Sequence, residues 1–409
     1  METRGPSDSP TVGIVTALPR EFKAVVAMLE DPTVVDLSNK GANQTYVLGA
    51  LPAKNGKHRV AVLLLPDIGN NSSGIGAALL TASYPSIECV FMVGIAGGVP
   101  DPSDPSEHVR LGDVVVSGRE GVVQYDIGKM LTDRLIAKPP PRPPSARMLQ
   151  ATRMLSAFDY KREFHQLIDK GLAACDACRP PETSDVLGRT DDPSIPVVHS
   201  ADPSRSPGRP RVFVGAIASA NQVLKNPTRR DQLRDEHRVK AVEMEGSGIA
   251  DLAWTRSIEY FVVRGISDYC DANKRDEWQD CASVVAAAYT RVLLSTLSSR
   301  GKQWTPRGPL TAVAVTALMA AISAVALIQA NPPAKRSAQL YVEATQPPVE
   351  LRIDGVLIRS LTADLPFTTV DLAEGNHRVV ATSANLRYEQ LVQVRGGTST
   401  IVRIPPVAR

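Results

Sequence analysis

The chain has few cysteines, few aromatic residues and almost no excess of one charge. Its 409 residues include five cysteines, 5% aromatic residues and a formal net charge of +3. An odd, sparse set of cysteines argues against a disulfide framework and favours a reducing compartment. A charge this close to balance provides no basic surface of the kind that nucleic-acid binding needs. We therefore predict no nucleic-acid partner.

Signals for a metal site and for secretion are also missing. Cys175 and Cys178 form a single CxxC, and no second CxxC or His pair stands at a spacing that would complete four zinc ligands. We therefore predict no metal. Incidental spacing is the main interpretation of the CxxC, and a redox pair or a metal clip are the alternatives. Residues 1–10 are polar, so no secretory signal is predicted.

The apolar residues, 43% of the chain, divide it into three blocks, and its length allows two or three domains. In residues 11–299, continuous apolar runs of strand length alternate with helical stretches. Strands are predicted over 12–16, 60–65, 90–93, 114–116, 212–217 and 260–263. Helices are predicted over 20–29, 74–84, 146–173, 242–254 and 282–297. This alternation predicts an α/β domain whose sheet is covered on both faces.

Residues 127–210 interrupt the alternation with proline-rich stretches at 138–144 and 192–210. Such stretches are typical of extended or loop segments. We interpret this region as an insertion in the α/β domain that serves as a lid or an oligomer contact. Its sequence discloses no chemistry.

A transmembrane helix is predicted over residues 310–330, after a linker at 300–309. The 21 residues carry no charge and no proline, and at 1.5 Å per residue they would span roughly 30 Å, the thickness of a bilayer core. A buried helix of a soluble domain is the alternative. Three basic residues precede the segment and Lys335 and Arg336 follow it. This bias predicts a single-pass protein of a bacterial-type inner membrane, with the first block in the cytoplasm.

Residues 338–409 predict a small all-β domain on the other side of that membrane. Short alternating strands recur along it, and Asp354-Gly355 between two of them is a hairpin signal. The stretches 349–358 and 372–380 resemble PEGA-type β modules. No cluster of nucleophile, base or metal ligands is present, so we predict no enzyme in this block.

Charged residues follow the predicted strands of the first block at their carboxyl ends. Glu21 stands at a predicted helix start after the first strand, and Glu243 and Glu245 open a later helix. Arg264 and Asp268 leave the last strand. Ligands of open α/β sheets bind at this edge. Each residue also has a plain structural alternative: a solvated helix carboxylate, a solvent-facing glutamate, or a helix cap.

Taken together and in this order, the motifs resemble the purine nucleoside phosphorylase and methylthioadenosine/S-adenosylhomocysteine nucleosidase superfamily over nearly all of the first block. The matching motifs are GIVTALPRE (13–21), DIGN (67–70), VGIAGGV (93–99), LGDVVVS (111–117), VEMEGSG (242–248) and VVRGISDY (262–269). The resemblance is closer still to nucleosidase-like domains of multidomain signalling and defence-type proteins. It implies a three-layer α/β/α fold with a central mixed sheet, and no metal or organic cofactor.

The resemblance also implies a purine N-glycosidase and a role for each matching residue. Asp268 would be the general acid that protonates the departing base at N7, and Glu21 with Arg264 would position the attacking water. Substrate-binding positions are implied for Glu245 at the ribose, Met244 beneath the sugar, and Glu243, Ser267, Gly97, Asn221, Val223 and Leu224. The substrate would be a purine nucleoside or nucleotide. Family members usually pair, so we expect a homodimer through the α/β domain.

Two departures from the family pattern stand near these positions. The family often has aspartate where this chain has Asn221, and a small polar residue where it has Ile95. No arginine except Arg20 lies near the first strand end to clamp phosphate, and Glu21 would repel a phosphate dianion. Hydrolysis is therefore favoured. A phosphate-dependent phosphorylase and a catalytically idle nucleoside sensor are the alternatives.

Overall fold

The computed structural model of the chain describes residues 9–37, 44–130, 135–137, 142–158, 160–273, 276–299, 337–345, 348–363, 366–395 and 399–405. The chain divides into two compact units, Met1–Gln303 and Trp304–Arg409. The predicted linker at 300–309 and the predicted membrane span at 310–330 lie outside the described residues. Within the described ranges, no helix is both long and apolar enough to cross a membrane.

A nine-stranded mixed sheet forms the centre of the first unit. Across the sheet the strands are β12 (Val239–Glu243), β11 (Val212–Ser219), β6 (Val114–Gln124), β13 (Glu259–Asp268), β5 (Cys89–Gly98), β1 (Val12–Thr16), β4 (Gly56–Leu64), β3 (Thr45–Ala53) and β2 (Glu30–Asp36). β1 runs parallel to β4 and β5, and β5 runs parallel to β13. The carboxyl ends of β1, β5 and β13 therefore meet at one edge of the sheet.

Helices cover both faces of this sheet. They are α1 (Pro19–Ala27), α2 (Asn70–Ser83), α3 (Ala146–Ala157), α4 (Lys161–Cys175), α5 (Pro227–His237), α6 (Gly246–Arg256) and α7 (Glu277–Thr296). α1, α3 and α4 pack with α7, whereas α2 packs with α6. Alternate residues of β5 face opposite cores: Phe91 points to the α7 side, and Val90 and Met92 to the α2 and α6 side. The predicted three-layer α/β/α fold with a mixed sheet is confirmed.

Several of the predicted element boundaries are wrong, and three of the differences bear on the site or on the segment 127–210. The helix predicted from residue 242 begins only at Gly246, because residues 239–243 continue the sheet as β12. The strand predicted over 90–93 continues through the glycine-rich stretch 94–98, all of which belongs to β5. The helix predicted over 146–173 is two helices, α3 and α4, and Phe158 between them has an extended backbone.

The segment 127–210 contributes to the core of the first unit. Met148 and Leu155 of α3 and Phe164 and Ile168 of α4 are buried in the cluster around α7. Short strands complete the segment: β7 (Gly128–Met130) pairs with β8 (Leu135–Ala137), and β9 (Leu187–Gly188) with β10 (Pro196–Val197). The helices of this region are thus part of the helical layer, which its proline-rich flanks did not indicate.

The second unit is all-β in its described residues. One sheet has the order β17 (Phe367–Ala373), β14 (Ser337–Ala344), β20 (Ser399–Ile404), and the other β16 (Val356–Leu361), β15 (Val349–Ile353), β18 (Gly375–Ser383), β19 (Leu386–Val394). Buried side chains of both sheets form a single core. Asp354 (φ 51°) and Gly355 (φ 83°) link β15 to β16, as the hairpin signal predicted.

Candidate active site

Three strands meet at Gly97, near the end of β5. Gly97 pairs with Val242 of β12 on one side and with Asp268 of β13 on the other. A Cβ atom at this position would lie 2.3 Å from Cys270 Sγ and 2.9 Å from Asp268 Oδ1. The absence of a side chain at Gly97 therefore allows the Asp268 carboxyl and the Cys270 side chain to approach the β5 backbone closely.

A cavity of about 190 Å³ opens at this junction. It is lined by Ala17, Leu18, Glu21, Ile68, Ile95, Ala96, Gly97, Gln222, Val223, Leu224, Val242, Glu243, Met244, Glu245, Ser267, Asp268 and Cys270. All of the predicted site residues except Arg264 and Asn221 are in this set. The structure thus brings together side chains that lie up to about 250 positions apart in the sequence, as the strand-end argument requires.

Glu21 is fixed in the cavity wall by the start of α1. Pro19 is favourable in the first turn because it needs no backbone N–H partner there. Glu21 Oε2 accepts hydrogen bonds from the backbone N–H groups of Ala17 and Leu18 at 2.8 and 2.9 Å, and Oε1 accepts one from Ile95 at 2.8 Å. Burial raises the pKa of Glu21 even though Arg264 and these bonds oppose the shift.

Arg264 lies behind the cavity wall and is fully buried. Its Nη2 donates to Glu243 Oε2 and, at 3.0 Å, to Glu245 Oε2, whereas its Nη1 lies 4.0 Å from Glu21 Oε1. A Cβ atom on Gly94 would come within 2.3 Å of Glu21 Oε1 and 2.6 Å of Arg264 Nη1. One guanidinium therefore faces three carboxylates, and Gly94 provides the space for it.

Glu243 and Glu245 both point inward, so the solvent-facing alternative for one of them is wrong. The Glu243 carboxylate accepts from the backbone N–H groups of Glu245 and Gly246 as well as from Arg264, and so fixes the start of α6. Glu245 Oε1 accepts from the N–H of Gly69 at 3.1 Å. Burial raises the pKa of Glu245 to about 7 against the charge of Arg264, and the nearby Glu243 and Glu21 raise it further.

Asp268 is the last residue of β13 and is half-buried at the cavity. Its Oδ2 accepts from Ser267 Oγ at 3.0 Å, and its Oδ1 accepts from the N–H of Cys270 at 2.9 Å. Cys270 has a φ of 53°, a left-handed conformation that is unusual for a residue with a side chain. The helix-cap alternative is not observed, since α7 begins with Asp276 as its cap residue.

Asn221, a predicted substrate-binding residue, is not among the residues that line the cavity. Its Oδ1 accepts from the N–H of Asn70 at 2.9 Å, so it ties the start of α2 to the segment after β11. The following residues Gln222, Val223 and Leu224 do line the cavity. Val223 is 62% exposed, so this rim is an apolar surface open to a ligand.

Sequence reasoning missed several residues of the lining and of its support. Ile68 and Gln222 line the cavity, and Gly69 and Gly94 hold or accommodate its carboxylates. The glycines of the DIGN and VGIAGGV motifs were the available signal for the last two. Ile68 and Gln222 differ from their neighbours in no feature that a single sequence displays.

The fold and the cavity define an α/β protein with a carboxylate-lined small-molecule site at the carboxyl edge of a mixed sheet. This chain belongs to the phosphorylase superfamily, because the model of that family matches residues 11–298. The predicted superfamily is thereby confirmed. The matched residues end before the second unit, whose PEGA-like character stays a prediction.

Three relatives show what the first unit is similar to. A nucleotide-binding leucine-rich repeat (NLR)-like protein of Hyaloscypha variabilis is 31% identical over 72% of this chain and 30% of its own length. A 5'-methylthioadenosine/S-adenosylhomocysteine nucleosidase of Mycobacterium bovis is 29% identical over 70% of this chain and 96% of its own. The ATP nucleosidase Cap17 of Escherichia coli is 28% identical over 69% of this chain and 50% of its own length. The chain thus spans about a third of the first relative and half of the last.

Proposed function

We propose that the first unit is a purine N-glycosidase that hydrolyses the N-glycosidic bond of an adenine nucleoside or nucleotide. The observation that carries this proposal is the convergence of Glu21, Glu245 and Asp268 on one cavity, with Arg264 buried behind two of them. Relatives named as nucleosidases, among them a methylthioadenosine/S-adenosylhomocysteine nucleosidase and an ATP nucleosidase, support the reaction class.

Asp268 is the general acid of this reaction. A purine leaves readily only when its developing negative charge is neutralised, and a proton placed on N7 does so. The carboxyl at the end of β13 is held by Ser267 and by the Cys270 N–H. These bonds fix its direction toward a base that lies against the rim at Val223 and Leu224.

Glu245 and Glu21 act on the sugar side. As the bond breaks, positive charge grows on the ribose ring, and buried carboxylates nearby stabilise it. The Glu245 carboxylate accepts hydrogen bonds from the ribose hydroxyls. The N–H of Gly69 and Nη2 of Arg264 hold this carboxylate in place. Glu21 orients the attacking water, and Arg264 limits the charge repulsion among the carboxylates.

Water is preferred to phosphate as the attacking group because of the charge at the cavity. Four of its described lining residues are acidic, Glu21, Glu243, Glu245 and Asp268, and none of the described lining residues is Lys or Arg. Arg20 is paired at 3.0 Å with Asp280 and is not in the lining. A phosphate dianion would enter this site against a strong repulsion.

The whole chain is, in this proposal, a membrane-anchored effector in signalling or defence. The support is the uncharged stretch 310–330 in the sequence and the match to part of an NLR-like protein and of Cap17. Recovery of the full chain in a carbonate-resistant membrane fraction, and its loss from that fraction when 310–330 is deleted, tests the anchor. The homodimer and the cytoplasmic position of the first unit stay predictions.

The test of the reaction is base release from a panel of methylthioadenosine, S-adenosylhomocysteine, adenosine, AMP and ATP, with and without phosphate. We expect the wild-type chain to release free adenine at the same rate in both conditions. Asp268→Asn is expected to lower kcat by at least about 100-fold while nucleoside binding is retained, because only the proton is lost.

Three results would contradict this assignment. Dependence on phosphate with formation of a ribose 1-phosphate would make the protein a phosphorylase. A nucleoside that binds and is recovered intact from wild-type protein would make it a sensor. Unchanged turnover by Asp268→Asn would remove Asp268 from the mechanism.

A further inference from the structure

A second buried cluster of charged residues lies directly behind the Asp268 turn. At its centre is Asp185, which belongs to the segment 127–210 and is 7% exposed. Its Oδ1 accepts from the hydroxyl of Tyr269 at 2.5 Å, and its Oδ2 accepts from Arg110 Nε at 2.7 Å. His199 Nε2 donates to the Asp185 backbone carbonyl at 2.9 Å. The cluster has no place in the proposed reaction, and it is attached to the residue that follows the general acid.

Both the side-chain hydroxyl and the backbone carbonyl of Tyr269 make hydrogen bonds. Its side chain is fully buried and its hydroxyl also accepts from the N–H of Leu111 at 3.3 Å. Its backbone carbonyl accepts from Nη1 of the buried Arg230 at 2.9 Å. The 127–210 segment supports this second contact too, since Thr190 Oγ1 donates to Asp231, which accepts from Arg230 Nε at 2.8 Å.

The contacts of Tyr269 affect the position of the Asp268 carboxyl through Cys270. The N–H of Cys270 orients Asp268 Oδ1, and it does so from a left-handed backbone conformation. Such a conformation persists where the surroundings fix the backbone on either side of it. Tyr269 is the residue between Asp268 and Cys270, and its two contacts supply that fixation.

We propose that Tyr269 and Asp185 are positioning residues that hold the Asp268 carboxyl in line with N7 of the departing base. The segment 127–210 is thereby a structural part of the active site, not a lid over it. This inference rests on the proposed function, since it assumes that Asp268 is the proton donor. It adds the specific claim that proton transfer depends on a hydrogen bond made outside the cavity.

The experiment compares two substrates that differ only in their need for the proton. One is the adenine nucleoside that the wild-type chain cleaves fastest, and the other is the same nucleoside methylated at N7. The N7-methylated base already carries a positive charge and leaves without protonation. Tyr269→Phe, which removes only the hydroxyl, is the main variant. Asp185→Asn is the second variant, in case one of the two fails to fold.

Arg147→Gln is the matched control. Arg147 lies in the same segment and its Nε donates to Glu259 at 2.9 Å, so its loss also breaks a charged contact between the segment and the sheet. Glu259 begins β13, at the end of that strand opposite Asp268. Circular dichroism and the midpoint of urea unfolding compare the folding of the three variants.

We expect Tyr269→Phe and Asp185→Asn to lower kcat on the unmethylated nucleoside by about 10-fold or more, with KM changed by less than about threefold. On the N7-methylated nucleoside their kcat should stay within about twofold of wild type, and Arg147→Gln should leave both values unchanged. Equal losses on both substrates, or wild-type kcat in both variants, would overturn the inference. If wild-type protein releases no base from either nucleoside, the proposed function fails instead.

Discussion

Two buried clusters in the first unit contain the same kinds of charged group in different proportions. In the Arg264 cluster, one arginine faces the carboxylates of Glu21, Glu243 and Glu245. In the Asp185 cluster, the carboxylates of Asp185 and Asp113 are matched by the guanidinium groups of Arg110 and Arg205, with His199 and Tyr269 as further partners.

Their pKa values move in opposite directions although both clusters are removed from water. Burial raises the pKa of Glu245 to about 7, and the single Arg264 does not offset it. Burial also raises the pKa of Asp185, but the bonds from His199 and Tyr269 and the charge of Arg110 outweigh it and hold the pKa well below its usual range. His199, Tyr269 and Arg110 all stabilise the Asp185 carboxylate, whereas Glu245 shares the single Arg264 with two other carboxylates, and this difference sets the direction of each pKa shift. In the proposed reaction, the negative charge that Arg264 leaves uncompensated would favour a cationic sugar, at the expense of stability.

The largest change in unfolding free energy is expected when the central carboxylate of the Asp185 cluster is removed. Asp185→Ala would leave the buried hydroxyl of Tyr269 and the half-buried guanidinium of Arg110 without their acceptor. Removing one partner of a largely buried pair in this way costs up to about 3–5 kcal/mol of unfolding free energy. Urea unfolding measures this loss. A loss below about 1 kcal/mol would show that Asp185 and its partners do not stabilise one another.

In the Arg264 cluster we expect a smaller effect, and it is an increase in the free energy of unfolding. Because the pKa of Glu245 rises from 4.5 to about 7 on folding, the folded state binds its proton more tightly than the unfolded chain. The stability contributed by Glu245 is fully present below pH 4.5 and is lost as the pH rises through about 7. Glu245→Gln removes that dependence, so we expect it to be more stable than wild type by about 1–3 kcal/mol at pH 8.

The same variant separates stability from activity. At pH 5 its unfolding free energy should approach that of wild type, while base release should be lost at both pH values because the ribose carboxylate is gone. A Glu245→Gln protein that is less stable than wild type at pH 8 would contradict the view that Arg264 is outnumbered by its carboxylates.

Asp169→Ala provides the baseline for both comparisons. Asp169 pairs with Arg209 at 2.9 Å, and the side chains of Asp169 and Arg209 are 58% and 37% exposed. Exposed pairs contribute less than about 1 kcal/mol. This variant should therefore change neither the unfolding free energy beyond that value nor base release.

The sequence predicted the fold and the members of the site well where the signal is local. Continuous apolar runs found the strands β1, β4, β5 and β13, and the charged residues at their ends converge on the cavity as expected. The alternation in residues 338–409 likewise predicted an all-β unit, and Asp354-Gly355 its hairpin.

What the sequence did not show depends on contacts between distant residues. Glu243 and Glu245 were expected to open a helix, on which residues two apart point in different directions, but Glu243 ends β12, α6 begins only at Gly246, and both side chains turn to Arg264. Asp185 lies in a segment without recognisable chemistry, and only the folded chain brings it to Tyr269. Asn221 was predicted to bind substrate by family pattern, and only the folded chain shows that its amide oxygen accepts from the N–H of Asn70 at the start of α2.

A crystal structure with a non-cleavable adenosine analogue would show directly whether Asp268 faces the leaving base. We expect N7 of the purine to lie within about 3.2 Å of an Asp268 carboxyl oxygen, with the ribose hydroxyls on Glu245 and the base against Val223 and Leu224. A purine ring bound away from that carboxyl, or a sugar that does not reach Glu245, would contradict it.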